Sequence, residues 1–134
     1  MGRNTGYKKV IFIDDDKEMV KTYSSILERK ELSEFLICFD NAIDGLNYLK
    51  EKKQTELPSY ILLDLYMPQM SGFEFLKRIA KMGTLKDSIE IFVCTSSTKK
   101  DDRNKVMNYP FVSAYLEKPL TGDFLELLIR DKIW

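Results

Sequence analysis

Apolar residues along this chain fall into two alternating patterns. Apolar runs, rich in β-branched and aromatic residues and broken only by Glu90 and Ser113, occupy positions 10–13, 35–39, 60–63, 89–93 and 112–116. Runs of that length and composition read as strands, and the lack of polar alternation means that both their faces are buried. Between the runs, apolar residues recur at helical spacing: Val20, Tyr23 and Leu27; Ala42, Leu46 and Leu49; Phe75, Leu76 and Ile79; Leu120, Phe124, Leu127 and Leu128. Asn41 and Thr121 stand where helix N-caps are expected. The fourth intervening stretch, residues 99–105, is nearly all charged ahead of Val106 and Met107 and reads as a solvated helix. The runs end beside Asp14, Asp40, Asp64, Cys94 and Glu117. Intervals of about 26 residues suit one strand, one helix of three turns and two tight loops. Five such βα units predict an α/β domain whose mostly parallel sheet carries helices on both faces. No repeat or low-complexity segment interrupts them, so a single domain over residues 1–134 is expected, with no length left for a DNA-binding helix-turn-helix.

Composition narrows the function. Lys plus Arg and Asp plus Glu each number 21 among 134 residues, so the formal net charge is zero. That balance offers no general attraction to nucleic acid or to a membrane surface. No apolar stretch approaches the roughly 18 residues of a bilayer span, and the polar start lacks a secretory leader's apolar segment. A cytoplasmic protein is expected, with Cys38 and Cys94, both in apolar surroundings, as reduced core thiols. There is no histidine. This removes Ser-His-Asp triads, histidine-ligated zinc and any role as a phosphohistidine donor. Carboxylates, hydroxyls, lysine and a hard metal ion remain.

Those groups collect at the carboxyl ends of the predicted strands, where open parallel sheets bind ligands. The first strand runs into Asp14-Asp15-Asp16. Capping of the next helix would employ Asp16 alone and leaves two adjacent, mutually repelling carboxylates to explain. Mg²⁺ explains them, since it takes one or two carboxylates and completes its shell with water and phosphate. The third strand emits Asp64, followed by Pro68 and Gly72, which pin the loop behind it. A carboxylate beside a metal that neutralises transferring oxygens becomes a workable phosphoryl acceptor. Thr95, first polar residue after the fourth run, is placed to meet a phosphoryl oxygen, whereas Ser96 and Ser97 read equally well as turn formers. Lys118 follows the fifth strand and precedes Pro119, a candidate cis peptide. An ammonium about 4 Å from Asp64 is worth roughly 4 kcal/mol at an effective dielectric near 20, before desolvation.

In these motifs the chain resembles the receiver domain of two-component response regulators, of the CheY-like, stand-alone kind, over about residues 9–130. The acidic pair matches Asp14 and Asp15, the phosphoacceptor Asp64 with Met67-Pro68 and Gly72 behind it, the switch hydroxyl Thr95, the switch aromatic Tyr115, and the lysine-proline pair Lys118-Pro119. The resemblance implies a doubly wound (βα)5 fold of flavodoxin-like strand order 2-1-3-4-5. It implies Mg²⁺ held by Asp14, Asp64 and the Tyr66 main-chain carbonyl, with Asp15 acting partly through water. A histidine kinase, a histidine phosphotransfer protein or a small phosphodonor would supply the phosphoryl group, which Lys118 and Thr95 would bind. Thr95 would move towards the phosphate and Tyr115 would turn inward from an exposed position, changing a surface of the fourth helix, fifth strand and fifth helix that a downstream protein reads. Catalysis would be confined to the chain's own phosphorylation and dephosphorylation. Tyr66 and Ser97, each two residues past a key position, depart from the common pattern and bear on phosphoryl lifetime; residues 81–88 form a longer connection than usual.

Two other classes compete. A haloacid-dehalogenase-type phosphatase also uses aspartate and Mg²⁺, and Asp14-Asp15-Asp16 contains its Asp-x-Asp, but Glu18 stands where that family needs Thr or Val. A degenerate receiver would serve only as a protein-binding module, yet every key position is filled. A flavodoxin-like cofactor carrier lacks a phosphate loop after the first strand, where the acidic triplet would repel FMN.

Overall fold

The computed structural model describes residues 6–53, 56–97 and 99–133, with the backbone alone at Thr84. The two ends of the 1–134 span therefore lie outside the described residues. Five strands form one sheet: β1 Val10–Ile13, β2 Leu36–Phe39, β3 Tyr60–Leu63, β4 Glu90–Thr95 and β5 Val112–Glu117. All neighbours are parallel, in the order β2-β1-β3-β4-β5. The helices are α1 Lys17–Arg29, α2 Ala42–Glu51, α3 Gly72–Ala80, α4 Lys100–Met107 and α5 Gly122–Ile129.

Alternation along the strands builds two cores. Ile11, Ile13, Ile61, Leu63, Ile91 and Val93 face one side and pack with residues of α2, α3 and α4. Val10, Phe12, Tyr60, Leu62, Phe92 and Cys94 face the other and pack with α1 and α5. Each fully buried aliphatic or aromatic side chain contributes about 1.5–3 kcal/mol of transfer free energy, so a strand apolar on both faces is stable only between two helical layers. α4 takes little part in this. Its buried residues are Asp102 and Val106, and no side chain caps its start. The charged stretch is indeed a solvated helix, held by few apolar contacts.

Several boundaries differ from the sequence expectation. Phe35 is buried but belongs to a 3-10 turn, Ser33–Phe35, ahead of β2. β4 continues through Cys94 to Thr95, because β5 offers partners as far as Glu117 across an irregularity at Ile91/Phe92. The connection over residues 81–88 coils into a 3-10 helix, Gly83–Asp87. α5 begins after Thr121, so its inner face is Leu125, Leu128 and Ile129 and Leu127 is exposed. Asn41 and Thr121 cap α2 and α5 as expected, and Ser71 caps α3. Cys94 is buried, whereas Cys38, on edge strand β2, is only half-buried; both are free thiols.

Candidate functional site

Adjacency of β1 and β3, with Ile13 level with Leu63, delivers Asp14 and Asp64 side by side at the carboxyl edge of the sheet. Backbone bonds carry the ladders one residue further: Asp14 N donates to the Phe39 carbonyl at 3.1 Å and Asp64 N to the Ile13 carbonyl at 3.0 Å. These bonds fix both aspartates at the sheet edge, where the residues are 1% and 6% exposed. Lys118 leaves β5, its backbone N–H on the Thr95 carbonyl at 3.1 Å, and its side chain passes over the end of β4. Its Nζ lies 2.5 Å from Asp14 Oδ2 and 3.4 Å from Asp64 Oδ2.

The oxygens are unequally satisfied. Asp14 Oδ1 accepts the Asp16 N–H at 2.9 Å, and Asp64 Oδ1 accepts the Leu65 N–H at 2.9 Å. Asp14 Oδ2, fully buried, has the Lys118 charge beside it but no partner of hydrogen-bond geometry. Burial pushes the Asp64 carboxyl above the ordinary carboxylate range; Lys118 opposes this and Asp14 reinforces it. Burial works against the Lys118 ammonium, but its close ion pair with Asp14 and the charge of Asp64 outweigh it and hold that group protonated above its usual range. The two directions agree with the distances, since Lys118 serves Asp14 first.

Asp15 is exposed at the mouth, and Asp14, Asp15 and Asp64 each offer an oxygen within 4.8 Å of the others. Three clustered carboxylates, two of them paired with one ammonium, with a buried oxygen short of a partner, form a hard, anionic donor set that fits Mg²⁺. Asp16 stands apart: its carboxylate accepts the N–H groups of Glu18 and Met19 at 3.1 Å each, capping α1. Helix capping therefore accounts for Asp16 and leaves Asp14 and Asp15 as the acidic pair of the cluster.

The loop after Asp64 is closed by Gly72, whose N–H donates to the Leu65 carbonyl at 2.9 Å. A Cβ on Gly72 would lie 2.3 Å from the Asp64 carbonyl oxygen and 2.8 Å from Leu65 Cα, both backbone atoms that cannot yield cheaply. Gly72→Ala should therefore lose about 2–4 kcal/mol of stability through local distortion. Urea denaturation tests this, and an unchanged midpoint would mean that the loop is free to move.

Thr95 is buried, and its Oγ1 accepts the Ser97 N–H at 3.2 Å. Tyr115, level with Val93 on the neighbouring strand, is half-buried rather than exposed, because its hydroxyl donates to the Ser97 carbonyl at 3.1 Å. Tyr66 is 49% exposed, yet its hydroxyl donates to Asp102 in the first turn of α4. Asp102 also accepts from Ser97 Oγ at 2.7 Å. It is only 5% exposed, covered by a thin layer of side chains near the surface, and the Tyr66 and Ser97 hydroxyls hold its carboxyl below the usual range. Sequence reasoning missed Asp102, since one acid in a charged run carries no mark of burial.

A model of the response regulator receiver domain matches residues 10–130. The chain is 29% identical over 126 residues to the sensor histidine kinase CheAY of Helicobacter pylori, covering 92% of this chain and 15% of that protein. It is 36% identical over 90 residues to the probable methanogenesis regulatory protein FilR2 of Methanothrix harundinacea, covering 65% of this chain and 56% of that one. The crystal structure of a two component response regulator from Cytophaga hutchinsonii superimposes with a TM-score of 0.76 at 24% identity, over 95% of this chain and 97% of that chain. The chain thus spans between about a seventh and just over half of these two curated relatives. No helix among the described residues is long and apolar enough to cross a membrane.

Proposed function

Because the chain belongs to the response regulator receiver domain family, we propose that it is a phosphoacceptor switch in which Asp64 takes a phosphoryl group and α4, β5 and α5 present the result to a partner. The observation that carries this reading is the Lys118 ammonium, 2.5 Å from Asp14 and 3.4 Å from Asp64 at the sheet's carboxyl edge. The receiver unit comprises residues 1–134, with its core over about 9–130. A histidine kinase or a histidine phosphotransfer protein is the proposed donor and a downstream protein the proposed reader.

Asp14, Asp15 and Asp64, with the Tyr66 carbonyl, are the residues that would hold Mg²⁺. When bound, the ion neutralises charge on the transferring phosphoryl oxygens. The chain's own residues supply the rest. An Asp64 carboxylate oxygen attacks phosphorus in line; the new O–P bond forms as the donor's N–P or O–P bond breaks and the donor keeps that electron pair. Lys118, already charged and aimed between the aspartates, binds one phosphoryl oxygen. The Thr95 hydroxyl donates to another, giving up the Ser97 N–H that it now accepts. In dephosphorylation, water attacks phosphorus and the Asp64 carboxylate leaves. The chain thereby acts only on its own phosphoryl group, and works as a signalling domain rather than a metabolic enzyme.

Incubation with acetyl phosphate and Mg²⁺ should add one base-labile phosphoryl group, read by intact mass. No uptake under those conditions would overturn the reading. Asp14→Asn should raise the Mg²⁺ concentration needed for half-maximal binding by at least tenfold, since a neutral amide replaces a buried charged ligand. An unchanged titration midpoint would remove Asp14 from the ligand set.

A further inference from the structure

We propose that Asp102 is a clasp: by accepting hydrogen bonds from both Tyr66 and Ser97, it ties the acceptor loop and the β4–α4 loop to the first turn of α4 and holds the switch in its resting arrangement. This rests on the phosphoacceptor reading of Asp64. Each leg is a separate contact. Tyr66 is two residues past the acceptor, and its hydroxyl ends on Asp102 although about half of the residue is exposed. Ser97 Oγ reaches the same carboxylate at 2.7 Å and accepts the Lys99 N–H at 3.2 Å, at the N-cap of α4. The Ser97 backbone faces the switch pair, donating its N–H to Thr95 and accepting from Tyr115 at 3.1 Å. Ser97 is thus the joint, gripped by Thr95 and Tyr115 on one side and by Asp102 on the other.

The consequence follows from the hydrogen-bond inventory. Asp102 accepts only and cannot hold two hydroxyls if Ser97 moves away. If Thr95 turns its hydroxyl to a phosphoryl oxygen and releases the Ser97 N–H, the Ser97 backbone is free to shift and its Oγ leaves Asp102. Left with the Tyr66 hydroxyl alone, and with only Val106 as an apolar anchor among its buried residues, α4 shifts and carries Asp102 away from Tyr66 as well. The clasp gives α4 two arrangements, one with Asp102 engaged and one without. The state of the acceptor biases between them. Lys99 Nζ, 5.7 Å from the Tyr66 ring centroid, and the Phe73 ring, 5.8 Å away, complete the packing around the tyrosine, so removing its hydroxyl alone leaves the ring supported.

Tyr66→Phe and Asp102→Asn test this without touching the acceptor, its carboxylate neighbours or the Tyr66 carbonyl. Losing one net hydrogen bond at this partly solvated site should favour the released arrangement by about threefold to tenfold. In wild type the engaged form dominates, so the apparent dissociation constant for beryllofluoride with Mg²⁺ should fall by that factor in each single variant. The double variant should gain no more than the stronger single one, since both cut the same link. In the free protein, labelled-tyrosine NMR should show Tyr115 moving towards its beryllofluoride-bound position in both variants, and α4 amides should exchange faster. Unchanged or weaker beryllofluoride affinity, or additive effects, would overturn the clasp. If wild type binds no beryllofluoride, the acceptor reading fails. The clasp is then decided in the free protein alone: faster α4 exchange with a Tyr115 shift supports it, and unchanged spectra overturn it.

Discussion

Asp64→Asn should take no phosphoryl group from acetyl phosphate and should nevertheless unfold at a higher temperature than the wild-type chain. Loss of labelling follows from chemistry: an amide oxygen is a far poorer nucleophile than a carboxylate, and Asp64 is the carboxylate that closes β3 beside Asp14. The gain in stability follows from the site's electrostatics. Burial disfavours the Asp64 charge and the Asp14 charge adds to this, while Lys118 opposes it from 3.4 Å. Removing the charge leaves the closer Lys118–Asp14 pair, at 2.5 Å, intact and balanced. A gain of about 0.5–2 kcal/mol is expected, of the size seen when a strained functional group is replaced, and a rise in Tm of a few degrees. The sign with pH is fixed. A carboxyl whose folded pKa lies above its unfolded value destabilises the fold above that folded value, and protonation relieves the cost as pH falls through it. The advantage of the variant should therefore be full at pH 7 and vanish below the ordinary aspartate range, near pH 4. Thermal melts in metal-free buffer at both pH values test this. Equal melting temperatures at pH 7 would show that Asp64 costs the fold nothing, and labelling of the variant would place the acceptor elsewhere.

Lys118→Met should have the opposite and larger effect on stability. The side chain volume is nearly kept, but two buried carboxylates lose their one cation. Breaking a buried ion pair from one side costs about 3–5 kcal/mol, because the remaining charge is left uncompensated. The lysine side chain is 12% exposed and the two partners 0% and 9%, so solvent screening does little to soften this. In wild type the raised Lys118 pKa contributes stability that is fully present below the ordinary lysine value, about 10.4, and is lost as pH rises through the folded value. At neutral pH the variant thus lacks the whole contribution. It should recover part at pH 5, where a carboxyl can take a proton, and part at pH 7 on adding Mg²⁺, a cation suited to the same oxygens. Urea denaturation at pH 7 and 5, with chelator or with Mg²⁺, gives the four midpoints. A variant as stable as wild type at pH 7 without metal would show that the pocket is wetter than its burial implies.

The two variants separate what composition could and could not foretell. That Asp14, Asp64 and Thr95 would stand at the carboxyl ends of their strands was legible in the chain, because a strand apolar on both faces is central in a parallel sheet and its first polar residue emerges at the carboxyl edge; that the Lys118 side chain reaches Asp14 and Asp64 from edge strand β5 was not. The same periodicity carried the five βα units and the faces of α2 and α3. It misplaced the inner face of α5, since Leu120 precedes the helix and Leu127 lies on its exposed side, and it stopped β4 short, since Thr95 joins the sheet only because β5 supplies Glu117 opposite.

What the sequence determined by itself is the set of chemical groups and their order, because a strand end is a local event marked by where apolar residues stop. What only the tertiary structure decided is which groups share a partner. Lys118 favours Asp14 over Asp64 by about an ångström, Tyr115 is already bonded to the Ser97 carbonyl, and an aspartate in a charged helix is buried against Tyr66. Each of these depends on the angle at which one element crosses another. Residues 36 positions apart in the chain, as Tyr66 and Asp102 are, leave no periodic trace of their meeting.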